Sequence, residues 1–315
     1  MIGRRTLGLS SLAVLATAMP SRAQASAFKL GTASAGGSFP LYGAAFVDLV
    51  RVIDPSISIR DVPTRGPIDN LRKLEAGELD FGLVTGEVLH EALDGIGRPR
   101  TTVKTVAAAF PMPGMFAVLP ETRYRRIADL KGRPVVWNPR ESGPAVQGRY
   151  VMDGLGLDAE RDFEPIFTDD MTNGPPLVMS RHAAAIWGGG LRWPGFVTLA
   201  ESAHGVRFVP PAADEIERIR AKHPFLAAMK VPAGLYRGQR DPIDTVGTWS
   251  MLMARPDLPD EVGRRIAAAL GKAEQGQLLP RQLSQTTATN TLAAVPAVDE
   301  LQPGVRQYYR ERGLL

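Results

Sequence analysis

Along this chain apolar and polar residues alternate with two different periods, and the switches fall at glycine, proline and small polar residues. Phe28 to Thr32 is a short apolar run, which predicts a strand. The small residues Thr32-Ala33-Ser34-Ala35-Gly36-Gly37-Ser38 follow. Leu41, Ala45, Phe46, Leu49, Val52 and Ile53 then recur on one helical face, so 39–53 is expected to be a helix. Ser38 is the expected N-cap, with Pro40 in the first turn. The same unit repeats. A strand over 58–62, a turn at Thr64-Arg65-Gly66 and a helix over 67–76 ending at Gly77 precede a buried strand at 80–84, and a further helix begins near Glu87.

Strands alternating with helices imply a parallel sheet with helices on both faces. Right-handed crossovers then bring the strand-to-helix turns to one edge, where open α/β sheets bind ligands. The turns at 32–38, 64–66 and 85 are therefore expected to converge on a cleft.

The second half repeats the pattern. Phe110 to Gly114 reads as a proline/glycine break, followed by strands at 115–119 and 134–138. The loop from Asn138 to Pro144 opens a helix reaching Leu155, capped by Ser142 or Gly143. A strand at 183–187 runs into Gly188-Gly189-Gly190. Residues 245–254 read as a strand, while 259–273 and 298–312 read as helices.

The first 25 residues stand apart. Arg4 and Arg5 precede an apolar run from Leu7 to Met19, and Ala23-Gln24-Ala25 follows Pro20. This is the layout of a secretory signal peptide, so the expected location is the periplasm. Arg4-Arg5-Thr6-Leu7 also fits twin-arginine export. The run is shorter than the roughly 20 residues a spanning helix needs.

Composition narrows the chemistry. The chain has 315 residues and a formal charge of +4, and three of its arginines lie in the leader, which leaves +1. The remaining basic residues are scattered, so no nucleic-acid partner is expected. There is no cysteine, which excludes disulfides and thiolate catalysis. The four histidines lack metal-ligand spacing, and no nucleophile elbow is present. Neither catalysis, a metal nor a cofactor is expected. Asp169-Asp170 reads as a solvated loop.

Several stretches resemble the TAXI-type solute receptors of tripartite ATP-independent periplasmic (TRAP) transporters. They are Leu30-Gly31-Thr32 through Gly36-Gly37-Ser38-Phe39, Thr64-Arg65-Gly66 with Asn70-Leu71-Arg72, and Gly77-Glu78-Leu79-Asp80-Phe81-Gly82. Asp129-Leu130-Lys131-Gly132, Ser142-Gly143, Pro232 to Gln239, Thr245-Val246-Gly247 and Pro303-Gly304 leading to Tyr308-Tyr309-Arg310-Glu311 continue the series. The resemblance implies an α/β, two-lobed periplasmic-binding-protein type II fold, with mixed sheets flanked by helices and two crossing hinge strands. It also implies an organic acid or acidic amino acid as ligand, and integral-membrane TRAP subunits as partners of a monomer. On this reading residues 1–25 are leader, 26–112 with 252–315 form lobe I, and 113–251 form lobe II. The chain departs from the family at Pro40, Thr85 and Pro144, where a second aromatic, a glutamine and a threonine are usual.

The candidate ligand contacts are Thr32, Gly36, Gly37, Ser38, Thr64, Arg65, Thr85, Arg140, Ser142 and Trp187. The glycine-rich turn offers backbone N–H groups, the hydroxyls offer hydrogen bonds, the arginines suit a carboxylate, and Trp187 offers a packing face. Arg65 is expected to matter most, with over tenfold loss of anion affinity on Arg65→Ala.

Overall fold

The computed structural model describes residues 27–315; the expected leader lies outside them. The first lobe begins with β1 (Phe28–Gly31), α1 (Ser38–Ile53), β2 (Ile59–Val62), α2 (Pro67–Glu75), β3 (Phe81–Thr85) and α3 (Gly86–Asp94). β1 lies between β2 and β3, parallel to both. Phe46, Tyr42 and Leu49 of α1 pack with Leu30, Phe81 and Leu83 of the strands, whereas Leu41 and Val52 of the expected apolar face are exposed. Gly77 ends α2 with φ of 69°, the left-handed conformation that glycine adopts without a Cβ penalty. The helix of 38–53 starts one residue earlier than expected. Gly37, not Ser38, is its N-cap, and no side chain caps it.

The chain then crosses on β4 (Lys104–Val118) into β5 (Pro134–Val136), α4 (Gly143–Gly154), β6 (Glu164–Ile166), α5 (Gly174–Met179), β7 (Ala185–Gly189), α6 (Pro194–Glu201), β8 (Arg207–Val209), α7 (Ala213–Lys222) and β9 (Ala227–Val231). It returns on β10 (Ile243–Ala254) to α8 (Asp260–Gln275), α9 (Ala288–Ala294) and α10 (Pro303–Glu311). One hydrogen-bonded path runs β2-β1-β3-β10-β4-β7-β5-β6, with β8 on β4 and β9 on β10. β10 is antiparallel to both β3 and β4, so the two long strands join the lobes.

The proline/glycine stretch at 110–114 is not a break. It lies inside β4, which is continuous for 15 residues. Pro111 and Pro113 pair with β10, the β7 ladder begins at Gly114, and Pro113 O accepts from Gly190 N just beyond β7. The edge without a ladder partner tolerates a residue without N–H. The resemblance places 245–254 beside 115–119, but β10 pairs with Lys104 to Gly114, while Phe116 to Val118 pair with β7 and β8.

The apolar core forms on both sides of the crossing. Leu30, Phe46 and Phe81 cluster with Val305 and Tyr309 of the C-terminal helix. Phe116, Trp137, Phe163 and Trp187 form a separate aromatic cluster in the second lobe. Among the described residues no helix is long and apolar enough to cross a membrane.

Candidate functional site

The strand-to-helix turns of both lobes meet at one cavity of about 350 Å³, counting its mouth. The N-terminal residues of five helices stand in its wall. They are Gly37 and Ser38 of α1, Pro67 of α2, Thr85 before α3, Gly143 and Pro144 of α4, and Trp193 before α6. Ala33, Phe39, Phe110, Met112, Met171 and Gly189 complete it, and no lining residue carries a charged side chain. The positive ends of these helix dipoles gather at the wall, although Pro67, Pro144 and Pro194 carry no N–H and Ser142 caps Ala145 N. α1 is the longest at 16 residues and has no side-chain cap, so its first N–H groups are available to an anion.

The lobes touch across the cleft. Met171 N donates to Ala35 O at 3.3 Å. A Cβ on Gly36, at φ of 79°, would lie 2.7 Å from Thr172 Cγ2 and 2.8 Å from its backbone N. Glycine is required there both by conformation and by the approach of the facing loop.

Of the expected contacts, Gly37, Ser38 and Thr85 line the cavity. Gly36 sits at the interlobe contact just described. Ser142 is buried and caps α4, its Oγ accepting from Ala145 N at 3.3 Å. Thr32 and Thr64 are spent within the first lobe. Thr32 Oγ1 donates to Val62 O at 3.2 Å, and Thr64 Oγ1 lies 2.7 Å from Asn70 Oδ1. Asn70, which the sequence reading quoted without a role, is the knot of this turn. Its Nδ2 donates to Thr32 O at 2.7 Å and Leu83 O at 2.8 Å, tying β1 to β3.

Three residues are placed elsewhere than expected. Trp187 is 0% exposed and its ring lies 4.9 Å from Phe116, because its position in β7 points it into the aromatic cluster. Arg140 pairs with Glu160 at 2.9 Å and covers the Phe167 ring at 3.7 Å, outside the cavity wall. Arg65 lies at the rim, its side chain 67% exposed, 3.3 Å from Glu141 and 3.7 Å from Asp69. Burial works to raise the Asp69 carboxyl, but Arg72, the Arg65 N–H and Lys73 outweigh it and hold its pKa down at about 2. Asp69 is thus a fixed negative neighbour for Arg65. An exposed pair of this kind is worth about 0–1 kcal/mol. Arg65→Ala is therefore expected to change ligand affinity by no more than about fivefold. Calorimetric titration checks this, and a loss above tenfold would return Arg65 to the ligand.

The cavity wall also contains residues the sequence reading did not select: Phe110, Met112, Met171 and Trp193. The first two flank Pro111 in the stretch read as a break. The others lie in loops whose local pattern carries no binding signal.

Beneath the cavity, Glu87 is fully buried at the start of α3. Gln147 Nε2 of α4 donates to its Oε1 at 2.9 Å and to Met112 O at 2.8 Å. Desolvation pushes the Glu87 carboxyl above the usual carboxylate range, against the lesser pull of its backbone N–H, Thr248, Gln147 and Thr85. A raised folded pKa gives stability that is full below the unfolded value and is lost as pH rises through the folded value. Glu87→Gln keeps the shape and cannot ionise. Its melting temperature should gain on the native chain progressively as the pH rises above the ordinary carboxylate value. Parallel melting curves over that rise would contradict the assignment.

Two α/β lobes joined by crossing strands, with helix N-termini around an interlobe cavity, define the type II periplasmic-binding-protein architecture. The match of the NMT1-like family to residues 30–313 shows that the chain belongs to that family. The structure is similar to a putative L-cystine ABC transporter from Listeria monocytogenes, with TM-score 0.53 and 14% identity over 81% of this chain and 93% of that one. It is also similar to an ancestral arginine-binding protein bound to arginine, with TM-score 0.52 and 14% identity over 81% and 96%. The substrate binding protein of an amino acid ABC transporter matches with TM-score 0.52 and 8% identity over 83% and 99%. At these identities the likeness is one of fold.

Proposed function

We propose that this protein is a periplasmic receptor that captures a small organic anion between its lobes and delivers it to a TRAP-type membrane transporter. Lobe I comprises 26–112 with 252–315, lobe II comprises 113–251, and β4 and β10 act as the hinge. The observation that carries this reading is the cavity itself. Five helix N-termini surround it and no charged side chain lines it, so an anion is held by oriented backbone dipoles. The binding proteins of similar fold support capture and delivery. The resemblance to TAXI-type receptors favours the TRAP partner over the ABC systems of those neighbours.

A thermal-shift and calorimetric screen of the purified protein against carboxylates, oxoacids, amino acids and sulfonates tests the receptor reading. A ligand at 100 times its dissociation constant stabilises by about 2.7 kcal/mol, a rise of roughly 5–10 °C in a protein of this size. The ligand must be recovered chemically unchanged. Release of bound ligand to vesicles bearing TRAP membrane subunits tests the partner. Turnover of the ligand would refute the receptor reading, and release only to an ABC permease would refute the TRAP assignment.

A further inference from the structure

We propose, on the basis of the receptor reading above, that the cavity selects a monoanion with one compact apolar body, such as an aromatic or branched-chain monocarboxylate. Thr85 and Trp193 supply its side-chain hydrogen bonds. Both are 1% exposed, and both line the cavity from opposite lobes. Thr85 Oγ1 and Trp193 Nε1 have no hydrogen-bond partner among the described residues.

Thr85 precedes α3 without capping its backbone, and its hydroxyl stands near the Glu87 carboxyl without closing a hydrogen bond to it. The six-membered ring of Trp193 is packed tightly. A Cβ on Gly195 would lie 2.4 Å from Cη2, and one on Gly188 would lie 2.6 Å from Cζ3. These contacts fall on the six-membered ring, while Nε1 on the five-membered ring is buried without a partner. An indole N–H only donates, so its partner must be an acceptor brought by the ligand. Leaving such a buried group unpaired is costly.

The remaining wall sets the rest of the ligand. Phe39, Phe110, Met112, Met171, Pro67 and Pro144 are apolar. A carboxylate on the N–H groups of α1 and on these two side chains leaves only apolar surface for the remainder. A second carboxylate would enter without a counter-charge, which is costly in a desolvated site. Arg65 is held at the rim by Glu141 and Asp69. Arg192 and Arg281 lie in an adjoining outer groove that shares Ser38 and Phe110 with the cavity.

The test is calorimetric titration of the purified protein with phenylacetate, 3-methyl-2-oxobutanoate, succinate and 2-oxoglutarate. The two monoacids should bind at least tenfold tighter than the dicarboxylates. Thr85→Val and Trp193→Phe should each weaken the better monoacid by about tenfold, a loss of one buried hydrogen bond. Thr85→Ser, which keeps the hydroxyl, should restore native affinity and so excludes a packing effect. Tighter dicarboxylate binding, weakened by Arg192→Ala with Arg281→Ala, would overturn this inference and leave the receptor standing. Native affinity in both Thr85→Val and Trp193→Phe would overturn it as well. Failure of every acid to bind would remove the anion-receptor reading with it.

Discussion

Gly247→Ala should lower the melting temperature by roughly 5–10 °C, corresponding to about 3 kcal/mol in a chain of this size. Gly247 lies in β10 between β4 and β9, opposite Pro113 and Ala227. A Cβ there would stand 2.1 Å from Met112 O and 2.8 Å from Met112 C. Both atoms are backbone, so no rotamer change relieves the clash. The strands must separate, and they separate where Met112 O accepts from Gln147 and where the Met112 side chain enters the cavity wall. The variant should therefore also bind ligand more weakly, even when folded at low temperature. Denaturation and titration of the same preparation would show both effects, and a native melting curve would refute the crowding argument.

Trp187→Ala should cost about 3–5 kcal/mol of stability, the usual range for emptying a large aromatic site. The ring is enclosed by Phe116 and Trp137, and Gly114 and Gly148 exist partly to make room for it. Its Nε1 has no partner among the described residues, so Phe at this position removes a buried unpaired donor as it removes volume. Trp187→Phe should thus fall well short of the alanine cost and retain native ligand affinity. The two variants together separate a core role from a binding role. If Trp187→Phe folds normally and loses ligand, the indole belongs to the site after all.

The order of the first elements was largely readable because β1 and β3 end at a glycine and a threonine and the helices after them carry apolar residues at helical spacing. Residues 28–31, 38–53, 67–75 and 81–85 have this property. β4 lacked it, since Pro111 and Pro113 look like punctuation until β10 is known to supply their only ladder partner. That partner is more than a hundred residues away in sequence. The turns at Gly37, Ser38 and Thr85 were legible as cavity wall because the topology of α/β sheets places such turns at one edge. The tryptophans were not. Trp187 and Trp193 are six residues apart, and only the packing of β7 against β4 decides that the first is core and the second faces the cavity. The arginines were misleading because a guanidinium reads as an anion site until its acidic neighbours are placed. Glu141 and Asp69 occupy Arg65, and Glu160 occupies Arg140.

The return of the chain on β10 has a consequence for the order in which the protein assembles during synthesis. Leu30 and Phe46 share their cluster with Leu252, Ile266, Val305 and Tyr309, and Leu301 bridges to Thr105. The residues made first thus wait for those made last. Until 243–254 and the helices after it have been made, the first lobe lacks a strand between β3 and β4 and the helices that cover its sheet. The second lobe needs only residues up to about 254 to close its own core. The nascent chain should therefore mature from its middle outward. A stop codon placed before α10 should yield a protein with an ordered second lobe and a first lobe open to proteases.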